Sequence, residues 1–114
     1  MRNKLVILSD QALELVAARF RILGEPMRLK LLRALLDGEK TVSELIGETK
    51  GTQANVSKHL NLLTQAGLLG RRREGLNVYY SIADESIFEL CQMVCGRLQE
   101  QFEQQAKALS SSHS

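Results

Sequence analysis

The sequence predicts a mainly α-helical domain carrying one small β-hairpin, in the order helix, helix, helix, helix, strand, strand, helix. Three observations carry that reading. Apolar residues recur at helical spacing in four successive stretches before Gly67. Immediately after Gly67 the period changes from 3.6 to two over residues 68–82, with Gly75 in the middle. From Asp84 onward the helical period returns. A chain of 114 residues suffices for one domain, 1–114, in which about 1–8 and 110–114 are expected to be flexible.

Each element has its own start and stop. Ser9 and Asp10 suit the cap of a first helix, along which Leu13, Val16, Ala17, Phe20 and Leu23 recur before Gly24. Glu25 and Pro26 open a second, since Pro is tolerated in a first turn. Its apolar face is Met27, Leu29, Leu31, Leu32, Leu35 and Leu36, and Asp37-Gly38 ends it. Thr41 and Glu44 have capping-box spacing and start a short third helix over 42–49. Lys50-Gly51 makes a turn. Thr52 caps a fourth helix over 52–66 that buries Val56, Leu60, Leu63 and Leu62, with Gly67 just past its end. The hairpin follows, and Asp84 or Ser86 caps a last helix to about residue 109. Two short helices joined by a tight Gly turn, with a hairpin directly after the second, make a winged helix-turn-helix.

Aromatic residues make up 4% of the chain and Trp is absent, so the core must be aliphatic. The net charge of +2 says little, but its distribution says more. Residues 50–80 hold Lys50, Lys58, Arg71, Arg72 and Arg73 against Glu74 alone, a net +4. Residues 84–107 hold Asp84, Glu85, Glu89, Glu100 and Glu103 against Arg97 and Lys107, a net −3. A basic middle suits a segment facing nucleic acid. No apolar run approaches the roughly 18 residues of a membrane span, and the N-terminal apolar run is too short for a signal peptide. A cytoplasmic protein without a membrane partner is expected, with its two cysteines as thiols.

The fourth helix and the hairpin make the candidate site. A helix that reads DNA buries one side and turns short polar groups toward base edges in the major groove. Thr52, Gln53, Asn55, Ser57, Lys58, His59 and Asn61 are the candidates here, with Gln and Asn suited to adenine, although a lone histidine such as His59 more often satisfies a local hydrogen bond. Arg71, Arg72 and Arg73 on the wing are candidate phosphate contacts, with Arg71 and Arg73 on one face and Arg72 on the other. A solvated polar face and a soluble basic hairpin would each look the same in isolation. Their adjacency after a capped short helix favours double-stranded DNA as the partner.

The stretches LGEPMRLKLLRAL, TVSELIGETKGTQANVSKHLNLLTQAGLL and RRREGLNVYYSI resemble the ArsR/SmtB family of bacterial repressors, over about residues 20–95. The resemblance implies a homodimer held by the first and last helices. It also implies two recognition helices in successive major grooves of a near-palindromic operator, released by a ligand that is often a metal or an oxidant. The interface residues would be Leu13, Val16, Phe20, Ile87, Val94, Leu98 and Phe102. The family's metal boxes are not matched. The paired-cysteine box of the third helix falls on Glu39 to Ser43, without a thiol. The zinc site of the last helix falls on Asp84, Ser86, Arg97 and Glu100, without a histidine.

Cys91 and Cys95 are four apart, so on a helix they share a face. Two readings stay open for them. They could hold a thiophilic ion such as As(III), or act as a redox pair. Alternatively they are small hydrophobes in the stripe of Ile87, Cys91, Val94, Cys95, Leu98 and Phe102. For the whole chain the alternatives are a winged helix used only for protein contacts or dimerisation, and a DNA-binding regulator without a ligand. An enzyme is not expected, because His59, His113 and the cysteines assemble no triad or carboxylate pair.

Overall fold

Nearly every helix begins where a side-chain oxygen meets its free N–H groups. Helix α1 (Asp10–Leu23) starts at Ser9, whose hydroxyl accepts from the Ala12 N–H at 3.1 Å. Helix α2 (Pro26–Ala34) starts at Glu25, whose carboxylate accepts from the Arg28 N–H at 2.9 Å. A 3₁₀ turn over Leu35–Asp37 tightens its end. Strand β1 (Lys40–Thr41) leads into helix α3 (Val42–Thr49), and both bonds of the Thr41–Glu44 capping box form. Helix α4 (Gln53–Gln65) is capped by Thr52, which accepts from the Asn55 N–H at 3.2 Å. Strands β2 (Leu69–Glu74) and β3 (Asn77–Ile82) form the hairpin, and helix α5 (Glu85–Ser112) follows. The Asp84 carboxylate accepts from the Ser86 N–H at 3.0 Å, so Asp84 caps α5.

The computed structural model describes residues 7–112, with side chains for 7–108. Residues 1–6 and 113–114, where flexible ends and His113 were expected, lie outside the described residues. The described α5 continues past residue 109 to Ser112. The chain divides into two compact units after Ala83, and each is described by itself.

In the first unit α2, α3 and α4 pack around an aliphatic core. Leu31, Leu45, Val56, Leu60, Leu63 and Leu68 are almost fully buried, each stabilising the fold by about 1.5–3 kcal/mol. Leu29 and Leu36, expected on the apolar face of α2, are exposed instead. Helix α2 turns a narrower stripe inward, led by Leu31, Leu32, Ala34 and Leu35.

The turn between α3 and α4 sets the angle of the pair. Lys50 takes the left-handed conformation at φ 59°. At Gly51 a Cβ would lie 2.8 Å from a Val56 methyl and 3.1 Å from the Met27 methyl. Only glycine allows the backbone that close to the core.

The sheet is antiparallel in the order β1-β3-β2, three strands where a hairpin was expected. Lys40 pairs with Tyr80 and Thr41 with Tyr79. A two-residue strand has no period to read, so β1 was invisible in the sequence. The hairpin register runs from Leu69 opposite Ile82 to Glu74 opposite Asn77. That leaves Gly75-Leu76 as a two-residue turn with Gly75 at φ 61°, the first-position glycine that a type II′ turn favours.

Candidate nucleic-acid interface

The recognition element has one face built into the core and one left open. Val56, His59, Leu60 and Leu63 are the buried residues of α4. Thr52, Gln53, Asn55, Lys58 and Asn61 are exposed, and Ser57 is half-buried. The buried set follows the i, i+3, i+4, i+7 pattern of a helix against a core. Its opposite face therefore carries only groups able to meet solvent or a groove. The first turn of α4 adds free N–H groups and a partial positive charge, favourable for a phosphate.

His59 does not belong to that face, which corrects the expectation that it contacts DNA. It is 8% exposed. Its Nδ1 accepts from Arg28 Nε at 3.2 Å, and its Nε2 lies 3.8 Å from a Glu25 carboxylate oxygen. The Arg28 N–H bond, seconded by the Met27 N–H, holds the Glu25 carboxyl below the usual carboxylate range. The helical pattern itself carried a signal for this burial, because residue 59 occupies the i+3 slot after Val56. The partners Glu25 and Arg28 left no local signal, since Arg28 is 31 residues away.

On the wing, strand alternation separates the three arginines as expected. Arg71 lies opposite Tyr80 and Arg73 opposite Val78, while Arg72 lies opposite Tyr79 on the other face. Arg71 and Arg73 are exposed. Arg72 departs from the expected phosphate clamp, because its charge is already matched. It donates from Nε to Glu39 at 2.8 Å and from Nη1 to Glu74 at 2.7 Å, and it stacks 4.5 Å from the centre of the Tyr79 ring. Those bonds raise the guanidinium pKa further above its ordinary value and lower that of Glu39. Arg72 thus ties the wing to the residue before β1. Glu39 is 33 residues away, so no local signal marks it as the partner of Arg72.

The second unit is α5. Cys91 is half-buried and Cys95 exposed, both as free thiols. Burial, then the neighbouring Cys95, pushes the Cys91 thiol up from its ordinary pKa. Cys95, Leu98, Phe102 and Ala106 lie along one face of the helix with Gln99 and Glu103. Of the expected interface residues, Val94, Leu98 and Phe102 are exposed and Ile87 is buried. On α1, Leu13 and Phe20 are exposed and Val16 is half-buried. Among the described residues no three His, Cys, Asp or Glu side chains cluster as a metal site. No helix among them is long and apolar enough to cross a membrane.

A short capped helix, a glycine turn, a helix with an open polar face and a basic antiparallel wing define a winged helix-turn-helix DNA-binding protein. The family model described as "Bacterial regulatory protein, arsR family" matches residues 25–70, from the cap of α2 into β2. The transcriptional repressor SmtB homolog of Synechocystis sp. is 40% identical over 91 residues, 80% of this chain and 68% of that protein. The probable mercury resistance operon repressor of Streptomyces lividans is 39% identical over 71 residues, 62% of this chain and 57% of that protein. The solution structure of a homodimeric winged helix-turn-helix DNA-binding domain from Mycobacterium bovis matches with a TM-score of 0.73 and 32% identity. That match covers 85% of this chain and 93% of that one. The chain belongs to the ArsR family of bacterial transcriptional regulators.

Proposed function

We propose that the chain is a homodimeric repressor of operator DNA, with its two units serving one DNA-binding domain. In this reading Gln53, Asn55, Ser57 and Lys58 read base edges. Asn61 supports them from the next turn, Thr52 and the first turn of α4 hold a phosphate, and Arg71 and Arg73 clamp the backbone. The carrying observation is the division of α4 into a fully buried face and an open polar face beside two uncommitted wing arginines. The exposed apolar residues of α1 and α5 support self-association, because contiguous apolar surface on a helix marks a contact site. The homodimeric Mycobacterium bovis domain supports the same assembly.

The same reading assigns the release signal to Cys91 and Cys95. They offer two soft donors on one helix face, which suits a thiophilic ion such as As(III). Among the described residues no third ligand clusters with them, so a three-coordinate ion would take one from elsewhere, such as the second copy. The mercury-resistance repressor among the relatives supports a thiophilic signal.

The test is DNA binding by the wild type and a Cys91→Ser/Cys95→Ser variant, reduced, oxidised, and with As(III), Cd(II) or Zn(II). Binding to upstream DNA should weaken steeply with salt. As(III) should release the wild type by tenfold or more and leave the variant bound. Binding without salt dependence or sequence preference would reject the DNA reading, and a wild type indifferent to every agent would reject the thiol signal.

A further inference from the structure

One polar bridge ties α4 to the rest of its unit and takes no part in the contacts proposed above. Arg28, in the first turn of α2, reaches in two directions. Its Nη1 donates to the Ile22 carbonyl at 2.8 Å, and its Nε donates to His59 Nδ1 at 3.2 Å. Ile22 lies in the last turn of α1, among the carbonyls a helix leaves without an internal partner. One planar guanidinium therefore joins the end of α1 to the middle of α4.

The chemistry makes this bridge directional. Arginine only donates, so His59 Nδ1 must present its lone pair and its proton sits on Nε2, toward Glu25. The guanidinium fork is rigid, so two bonds from it restrict rotation as well as distance. On the same helix Val56, Leu60 and Leu63 are buried by apolar packing, which loses uniqueness before it loses stability. We infer that Arg28 and His59 are positioning residues that set the rotation of α4 about its axis against α1, and through it the aim of Gln53, Asn55, Ser57 and Lys58. The inference rests on the DNA-binding reading and extends it. Helix α1 carries part of the exposed apolar surface assigned to the second copy, so the bridge links the dimer helix to the reading helix.

The test compares two amides at residue 59. His59→Asn places an acceptor where Nδ1 sits. His59→Gln places its amide one bond further out, at the Nε2 position. Arg28→Met removes the bridge from the other end. Affinity is measured on a duplex selected by the wild-type protein from a random library, across a salt series, with thermal unfolding alongside. Asn should bind within about threefold of wild type, and Gln and Arg28→Met should each lose about tenfold, as for one charge-assisted hydrogen bond. The salt slope should not change, because neither residue touches a phosphate.

A purely structural role gives the opposite order, since Gln is the better helix former. Gln binding as well as Asn, or Arg28→Met binding as wild type, would overturn the inference. So would a salt slope shallower by about one in Arg28→Met, which would make Arg28 a phosphate contact. A wild type that selects no duplex overturns DNA recognition itself. That is a separate result from a wild type that binds while its variants bind equally well.

Discussion

Helices α4 and α5 spend their apolar residues in opposite ways. On α4, Val56, Leu60 and Leu63 are entirely buried, and a buried histidine completes the face. On α5, Met93 is 69% exposed, Val94 51% and Phe102 66%. A helix whose apolar face is used within the protomer is a finished part of one fold. A helix that leaves such a face in water is unfinished until something covers it, since burying apolar surface gives about 25 cal/mol per Å². The comparison separates two faces: α4 is packed on one side with its polar side open, whereas α5 leaves apolar side chains in water, where the proposed second copy would cover them.

Three measurements bear on that contrast. The largest effect is expected from Leu60→Ala, which should cost about 2–5 kcal/mol in denaturant unfolding, whereas Leu98→Ala should change protomer stability by under about 0.5 kcal/mol. Equal costs at both positions would erase the distinction.

Next is Leu98→Asp. Sedimentation should show a dimer becoming a folded monomer, and DNA affinity should fall by about a hundredfold or more, because two linked half-sites become one. A variant that stays dimeric would move the interface away from α5.

The smallest effect, and the sharpest, is on the wing. Arg71→Ala/Arg73→Ala should make the salt slope shallower by about two, roughly one per lost phosphate contact. Arg72→Ala should leave the slope unchanged, because its charge is already committed to Glu39 and Glu74. A shallower slope for Arg72→Ala would return it to the phosphate clamp.

Much of this molecule was legible because its signals are local. Thr52 and Gly67 bracket α4, and the helix occupies the residues between them with Ala66 as its C-cap. The capping box at Thr41 and Glu44 marked α3 correctly. Strand alternation put Arg72 on the face opposite Arg71 and Arg73, which the register confirms. His59 departs from the DNA-facing candidates because the 56, 59, 60, 63 pattern carries it inside, where it finds the hydrogen bond a lone histidine usually makes. Leu29 and Leu36 lie outside, since an apolar residue on a helix need not face the core.

What the sequence by itself determined is where each element starts and stops, which side of α4 is polar, and the family to which the chain belongs. Caps, glycine turns and hydrophobic period act over a few residues, so one chain read in order suffices for them. What only the tertiary structure decided is which charges are free. Arg28 meets His59 across 31 residues, and Arg72 meets Glu39 across 33. Such pairs form because the packing of α2 on α4, and of β1 on β3, brings distant side chains within hydrogen-bond reach. No local rule carries that distance, so the arginines that look alike in the sequence divide into struts and contacts only once the chain is folded.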